Sequence, residues 1–110
     1  MVKDLEWLGD AKEAVGGFSE AVRQDIGHQL WRVQEGHPPA DWKPMSTVGT
    51  GVVELRLHHG NEYRVMYVAK FVEAVYVIHA FEKKTQRTLL KDLKLAEHRY
   101  RQLITSRTLL

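Results

Sequence analysis

The stretch that decides the fold runs from residue 53 to residue 81 and reads VELRLHHGNEYRVMYVAKFVEAVYVIHAF. Over residues 53–57, apolar residues alternate with charged ones, which is typical of a strand with one buried face. The segments Tyr63–Ala69 and Ala74–Phe81 are apolar almost throughout and rich in β-branched and aromatic residues. They therefore predict central strands covered on both faces. A turn is expected at Gly60-Asn61, and a short connection near Phe71–Glu73 closes an antiparallel hairpin.

Helical and strand patterns precede this block. Residues 4–8 alternate charge with apolar bulk and predict a strand. Asp10 reads as an N-cap, with Glu13 completing a capping box, so a short helix follows. Ser19 caps a second helix that ends at Gly36, and residues 36–51 are expected to form a loop.

A last helix is predicted from about residue 88 to residue 106, where apolar residues recur at helical spacing. The expected order is therefore β-α-α-β-β-β-α. This is an α+β fold in which two N-terminal helices and a C-terminal helix surround a small, mostly antiparallel sheet.

Length and composition exclude several classes of protein. The chain has 110 residues, and we expect residues 1–110 to form one domain. No apolar segment approaches the roughly 18–20 residues that cross a bilayer. The acidic start lacks the basic and apolar regions of a signal peptide, so a cytoplasmic location is expected. Because there is no cysteine, disulfides, thiol chemistry and thiolate-held metal sites are excluded.

Charge is unevenly distributed along the chain. The first fifty residues carry five Lys/Arg against eight Asp/Glu, whereas residues 51–110 carry eleven against six. The two parts therefore have net charges of −3 and +5. A basic half joined to an acidic half suggests that one face meets a polyanion. A basic helix exposed to water would give the same pattern, and charge alone does not separate the two interpretations.

Two arginines flank the first predicted turn. Side chains two apart on a strand share a face, so Glu54, Arg56 and His58 project together. A three-residue loop at Gly60 would place Arg64 opposite Arg56, whereas a loop of even length would turn Arg64 to the other face. Two facing arginines repel each other unless an anion lies between them. A phosphate suits that position, because guanidinium donates two parallel hydrogen bonds to its oxygens.

Beside such a phosphate, RNA cleavage needs a base for the 2′-hydroxyl, cations for the five-coordinate phosphate and an acid for the leaving 5′-oxygen. Histidine titrates near neutral pH, and a lysine crowded by cations can act as a base. This chemistry needs no metal or other cofactor, and no metal site is expected, since the adjacent His58 and His59 point to opposite sides of a strand. The candidate residues are Arg56, His58, His59, Arg64, His79, Lys83, Lys84, Arg87 and Lys91.

These residues also have ordinary structural interpretations. Arg64 would serve as an ion-pair partner of Glu54 or Glu62. His79, set among apolar neighbours, is more typical of a hydrogen-bonded core histidine than of a catalyst. Lysines after a strand, such as Lys83–Lys84, usually belong to a solvated loop. Spacing alone therefore indicates a small basic α+β domain without specifying its activity.

Several runs together resemble the central block of the RelE/HigB toxins, and most closely the phage-derived HigB-type branch of the RelE/ParE superfamily. They are Glu54-Leu55-Arg56, Tyr63–Val68, and Val75–Gln86 with its H-A-F-x-K-K-T-Q motif. The resemblance extends to Leu5–Gly9 and Leu30–Gly36, and so covers nearly the whole chain. The combined pattern is more specific than any single run.

The resemblance implies a microbial-ribonuclease-like fold and the toxin of a type II toxin–antitoxin pair. Such toxins enter the ribosomal A site and cleave mRNA there without metal, by attack of the 2′-hydroxyl. The implied partners are a helix-turn-helix antitoxin of HigA type, the ribosome and mRNA. No membrane is implied, and DNA would be contacted only through the antitoxin.

The basic active-site positions of the family carry over onto Arg64 and onto Lys83 or Lys84, and more loosely onto Arg56. The resemblance thus implies Arg64 and Arg56 on the scissile phosphate, and a lysine of the pair near the leaving oxygen. The remaining expected roles are a base, from His58 or His79, and further RNA contacts from His58, His59, Arg87 and Lys91.

One departure from the family and one alternative function remain. Some relatives place a tyrosine shortly after the last strand to stack on the mRNA base, but here no tyrosine follows Tyr76 until Tyr100. The chain is either a ribosome-dependent endoribonuclease or a non-catalytic RNA- or partner-binding module, such as a degenerate toxin. The first class requires Arg64 and Lys83–Lys84 to converge on one cleft.

Overall fold

A five-stranded sheet with helices on both faces organises the computed structural model, which describes residues 2–109. The strands lie in the order β1-β5-β4-β3-β2, with β1 parallel to β5 and the other pairs antiparallel. The expected α+β class with a mostly antiparallel sheet is confirmed. The elements are β1 (Asp4–Trp7), α1 (Ala11–Gly16), α2 (Glu20–Gln34), β2 (Trp42–Pro44), β3 (Val52–His59), β4 (Asn61–Val68), β5 (Ala74–Lys83) and α3 (Leu90–Thr108).

The sheet separates two apolar cores. Helices α1 and α2 pack on one face, against side chains that include Leu55, Val65 and Val77. Helix α3 packs on the other face, where Met66 and Ile78 are fully buried. The two central strands are therefore covered on both sides, as their apolar sequences predict.

Strand β2 was missed by the sequence interpretation, which treated residues 36–51 as loop throughout. Its three residues pair with Val53–Leu55 of β3 and form the edge of the sheet. Three residues are too few for an alternating pattern to show, and Pro44 is a residue that strands tolerate only at an edge or an end. The practical consequence is that Lys43 is fixed beside β3.

The first helix begins differently from its sequence interpretation. Asp10 precedes α1, but its side chain makes no capping hydrogen bond. Its Oδ1 instead accepts from Nη2 of Arg99 in α3, at 2.6 Å. This hydrogen bond holds the pKa of Asp10 below its ordinary value. The cap predicted for α2 is confirmed, because Ser19 Oγ accepts from the Val22 amide at 3.4 Å.

The register of the β3–β4 hairpin places Arg56 directly opposite Arg64. The pairing is centred on Gly60, which has a φ of +76°, so the odd-length loop is the one the chain adopts. A positive φ is readily available only to glycine. Gly60 therefore fixes the alignment of the two arginines.

A β-bulge in β5 changes which side chains reach the α3 face. Met66 pairs with His79, and Tyr67 pairs with Val77, so Ile78 has no partner in the register. Ile78 lies in the α3 core, and His79 contacts α3 through its Nε2 atom, so two successive side chains point the same way. The bulge reverses the alternation for the rest of β5. It thereby puts Lys83 on the face that carries the two arginines.

Substituting alanine at two glycines should shift stability in opposite directions. Gly60→Ala should lower the free energy of unfolding by about 1–2 kcal/mol, because an L-residue is strained at positive φ. Gly27→Ala, in the exposed interior of α2, should raise it by up to about 1 kcal/mol through helix propensity. A Cβ at either position meets open space, so steric clashes do not contribute to the difference in stability. Urea unfolding measures both, and a neutral Gly60→Ala would contradict the assigned turn.

Candidate functional site

A basic cleft of about 380 Å³ opens on the α3 face, beside the ends of β3 and β5. Four cationic side chains line it and one carboxylate accompanies them, so its lining is strongly electropositive. We call it the basic cleft. Its lining residues are Lys43, Met45, Thr47, Glu54, Arg56, Lys83, Gln86, Arg87, Thr88 and Leu93.

A second hollow, of about 270 Å³, adjoins the basic cleft. It shares Lys83 and Arg87 with the cleft and adds Lys84 and Lys91. Five of the nine residues proposed from the sequence, Arg56 and these four, thus come together on one side of the sheet.

The anion between the two arginines is supplied by the protein itself. Glu54 Oε1 lies 3.3 Å from Arg56 Nε and 3.4 Å from Arg64 Nε. The Glu54 residue is only 2% exposed. A carboxylate shared in this way neutralises the repulsion that the hairpin register would otherwise impose. A phosphate was the occupant expected from the sequence, and the ion pair with Glu54 was the structural alternative.

Arg64 lies beneath the cleft and does not line it, and Lys84 lines only the adjoining hollow, so the convergence of Arg64 with Lys83–Lys84 that was expected of a nuclease is not found. The Arg64 side chain is 6% exposed, and each guanidinium nitrogen lies within 3.5 Å of an oxygen. Besides the contact with Glu54, Nη1 donates to the Tyr63 carbonyl at 3.0 Å, and Nη2 lies 3.5 Å from Glu62 Oε1. Arg56 is more accessible, with 30% of its side chain exposed. Of the two arginines, therefore, Arg56 is the one that can meet a ligand.

His58 lies outside the basic cleft, at the tip of the hairpin. Its Nδ1 is 2.7 Å from Glu62 Oε2, and its Nε2 is 2.6 Å from Asp41 Oδ2. These hydrogen bonds, first that to Asp41 and then that to Glu62, raise the pKa of His58. The hydrogen bond between His58 and Glu62 also lowers the pKa of Glu62. Because Glu62 also contacts Arg64, it links this exposed triad to the buried ion pair.

The other two candidate histidines are also held away from the cleft. His59 points to the opposite face, where its Nε2 lies 2.7 Å from Asp25 Oδ2 of α2. His79 is buried, stacks on Phe81 and lies with Nε2 2.7 Å from Asp92 Oδ1 of α3. It thus packs α3 onto β5 and does not line either basic cavity.

Comparison with known families gives this fold and cleft a context. The family model described as phage-derived protein Gp49-like (DUF891) matches residues 13–101. The chain belongs to this family. The Gp49-like family is in general one of RelE/HigB-type toxins and is associated with toxin–antitoxin systems. No curated protein matches the chain.

The matched segment of this Gp49-like chain contains every residue of the basic cleft. In residues 2–109 no helix has the length and apolar character needed to cross a bilayer. Within the same range, no three His, Asp or Glu side chains are grouped so that they could hold a metal ion.

Two of the five charged residues of the cleft were not among the candidates identified from the sequence. Lys43 was missed because its strand was taken for loop. Glu54 was seen to share a face with Arg56, but its position between both arginines depends on the hairpin register. The signal available was the Glu54-Leu55-Arg56 spacing, since residues two apart on a strand are neighbours.

A larger cavity, of about 530 Å³, lies elsewhere, between α3 and the β1–β5 edge. None of the candidate residues lines it. Its two arginines are already paired, Arg99 with Asp10 and Arg107 with Glu73. The chemistry of the side chains, and not cavity size, therefore selects the basic cleft as the candidate site.

Removing a charge from the buried ion pair should cost far more stability than removing Arg56. Glu54→Gln or Arg64→Gln leaves an uncompensated buried charge, so the free energy of unfolding should fall by about 3–5 kcal/mol. Arg56→Gln leaves the Glu54–Arg64 pair intact and should cost about 1 kcal/mol or less. Urea unfolding followed by circular dichroism compares the three. Equal losses for the two arginine variants would contradict the assignment.

The triad of Asp41, His58 and Glu62 should make stability depend on pH. The pKa of His58 is raised from 6.5, so its contribution is complete below 6.5 and is lost as pH rises through the native value. The pKa of Glu62 is lowered from 4.5, so its contribution is present above 4.5 and is lost as pH falls through the native value. The difference in melting temperature between wild type and His58→Gln should therefore be largest between about pH 4.5 and 6.5, and should shrink by pH 9.

The matched control is His28→Gln, which removes an exposed histidine from α2. It should show no such pH-dependent difference. A His58→Gln difference that grows with rising pH would overturn the account of the triad.

Proposed function

We propose that this Gp49-like protein is the toxin of a type II toxin–antitoxin pair and a ribosome-dependent endoribonuclease. It would cleave mRNA without metal, by attack of the ribose 2′-hydroxyl on the adjacent phosphate. The observation that most supports this proposal is the convergence of Arg56, Lys83 and Arg87 on one cleft. Family membership supports the toxin assignment independently.

In this proposal Arg56 and Arg87 bind the scissile phosphate. Glu54 holds Arg56 through Nε, which leaves the Nη donors of that guanidinium for the ligand. Attack forms the bond from the 2′-oxygen to phosphorus, and the bond from phosphorus to the 5′-oxygen breaks. Negative charge accumulates on the phosphate oxygens at the five-coordinate stage, where fixed cations stabilise it most. Arg64 is a positioning residue, because it acts through Glu54.

The two lysines carry the protons. Lys83, which lines both basic cavities, donates a proton from its ammonium group to the leaving 5′-oxygen. Lys84, which lines the adjoining hollow with its Nζ 3.9 Å from Glu82 Oε2, is assigned as the acceptor of the 2′-hydroxyl proton. No imidazole lines the basic cleft, and the Oε2 atom of Glu54 is buried, so neither competes for this role. The products are a 2′,3′-cyclic phosphate and a free 5′-hydroxyl.

The partners follow from the activity. An mRNA-cleaving enzyme would harm its own cell if it were free, so we assign a helix-turn-helix antitoxin of HigA type that covers the basic face. The ribosome and mRNA are the targets, and they place the protein in the cytoplasm. The proposal includes no membrane contact, and DNA is reached only through the antitoxin.

A second candidate function is a non-catalytic RNA- or partner-binding module. The observation in its favour is that His58, His59 and His79 all lie away from the cleft, engaged with carboxylates. In such a module, the same cations would hold phosphate without cleaving RNA.

Controlled expression separates the two functions. Wild type should arrest growth and produce in-frame cuts in mRNA on translating ribosomes. Lys83→Ala/Arg87→Ala should do neither at equal protein level, because it removes cleft cations while leaving the buried ion pair intact. Lys12→Ala/Arg23→Ala removes two charges from α1 and α2 and should behave as wild type. Folded wild-type protein that causes neither arrest nor cleavage would refute the nuclease and leave the binding module.

The pH dependence of cleavage tests the proton acceptor. With lysine as base, the single-turnover rate on ribosomes should keep rising from pH 6 to pH 8, because the neutral fraction grows with pH. An imidazole base would level off above about pH 6.5. A plateau of that kind, abolished in His58→Gln, would contradict the assignment to Lys84.

A further inference from the structure

Helix α3 carries a row of basic side chains on its exposed side. Lys91, Lys94, His98 and Arg101 follow one another at spacings of three and four residues, which places them on one face of the helix. All four are exposed. At 1.5 Å of rise per residue, the row is about 15 Å long. We call it the α3 stripe.

The stripe differs from the other basic residues of the helix in having no counter-ions. Arg99 and Arg107 are paired with Asp10 and Glu73. In contrast, no carboxylate oxygen of residues 2–109 lies within 4.0 Å of a side-chain nitrogen of the stripe. The carboxylate of Asp92, on the same helix, is engaged by His79. No residue of the stripe therefore makes an ion pair within residues 2–109, although Glu97 lies three residues from Lys94 and four from Arg101 on the same helix.

Helix stability does not favour this arrangement. Lys91 lies in the first turn of α3, where the helix dipole disfavours cations. Like charges three or four residues apart also repel each other. An external anion would relieve both effects.

The surroundings of the stripe indicate which anion fits. Between residues 91 and 101 the exposed side chains of the helix are the four of the stripe; none is apolar, and the one ring among them is the imidazole of His98. Protein partners are usually anchored by aromatic and apolar side chains at the interface centre, and single-stranded nucleic acid by aromatic stacking. The phosphate backbone of a nucleic-acid duplex requires only cations and polar donors.

The stripe is continuous with the candidate site. Lys91 belongs to the stripe and also lines the adjoining hollow, whose other charged residues are Lys83, Lys84 and Arg87 together with Glu82 and Asp92. A polyanion that lies along α3 would therefore lead into the basic cleft.

We infer that the α3 stripe binds the phosphate backbone of double-helical RNA, of the kind that folded ribosomal RNA presents. It would hold the protein on the ribosome while the cleft receives the single-stranded mRNA. The inference rests on the proposed function in taking RNA as the polyanion.

The test compares binding of a short, labelled RNA duplex by three full-length proteins. They are wild type, the stripe variant Lys94→Gln/Arg101→Gln, and the control Lys12→Gln/Arg23→Gln on the opposite face. Each variant loses two positive charges, so net charge is matched. The slope of log affinity against log salt should fall by about 2 for the stripe variant, because each phosphate contact contributes roughly 1. It should be unchanged for the control.

Cleavage of mRNA on ribosomes, measured with the same proteins, keeps the two proposals apart. If wild type cleaves but the stripe variant binds the duplex as wild type does, the stripe assignment is wrong and the nuclease stands. If the duplex slope falls as expected but wild type does not cleave, the stripe stands and the nuclease is wrong.

A poly-glutamate peptide provides the protein-like competitor. If its binding weakens in the stripe variant as much as that of the duplex, the assignment to RNA is overturned.

Discussion

Glu54 places one negative charge between two arginines, at a point of the sheet where its own side chain and that of Arg64 are almost completely buried. The hairpin register sets Arg56 directly against Arg64, and like charges directly opposite each other on neighbouring strands are destabilising. Oε1 of Glu54 contacts both guanidinium groups and offsets the repulsion between them that this register imposes. The rest of the basic face depends on this contact, because it holds Arg56 at the wall of the cleft and keeps Arg64 below it.

The charged residues of the basic face fall into an inner and an outer set. The inner set is paired from one member to the next, from Glu54 through Arg64 and Glu62 to His58. It fixes the hairpin, and Arg64 Nε, which makes no hydrogen bond, is buried and therefore not presented to a ligand. The outer set consists of cations in the cleft and along α3, and its positive charge exceeds that of the carboxylates beside it. Inner ion pairs beneath an excess of outer cations suit a site that must stabilise a developing charge without reorganising.

The sequence predicted most of the fold because its strongest signals are local. The segments Tyr63–Ala69 and Ala74–Phe81 are apolar almost throughout, which is typical of the central strands of a sheet. Ser19 caps α2 as expected. Strand β2 was missed because three residues around Pro44 carry no periodicity. The cap at Asp10 failed because a long-range partner, Arg99, offers its carboxylate a stronger interaction than the helix amides do.

The site could be predicted only in part, since its geometry depends on two features that sequence periodicity does not reveal. The length of the Gly60 loop decides whether Arg56 and Arg64 meet, and the sequence allowed either outcome. The bulge at Ile78-His79 then reverses the alternation of β5. Without it, Lys83 would point to the α1–α2 face, and the basic cleft would not form. The candidate residue types were therefore identifiable, but their division between the cleft and the interior was not.

The most direct test of this account is to observe the arginine side chains while a ligand binds. We would follow the Nε–Hε signals by NMR as an RNA trinucleotide with a 2′-deoxy group at the scissile position, which cannot be cleaved, is added. The account predicts that the Arg56 signal shifts with ligand while the Arg64 signal does not, because Glu54 keeps Arg64 engaged. A shift of Arg64 equal to that of Arg56 would show that phosphate displaces Glu54, and would contradict the account.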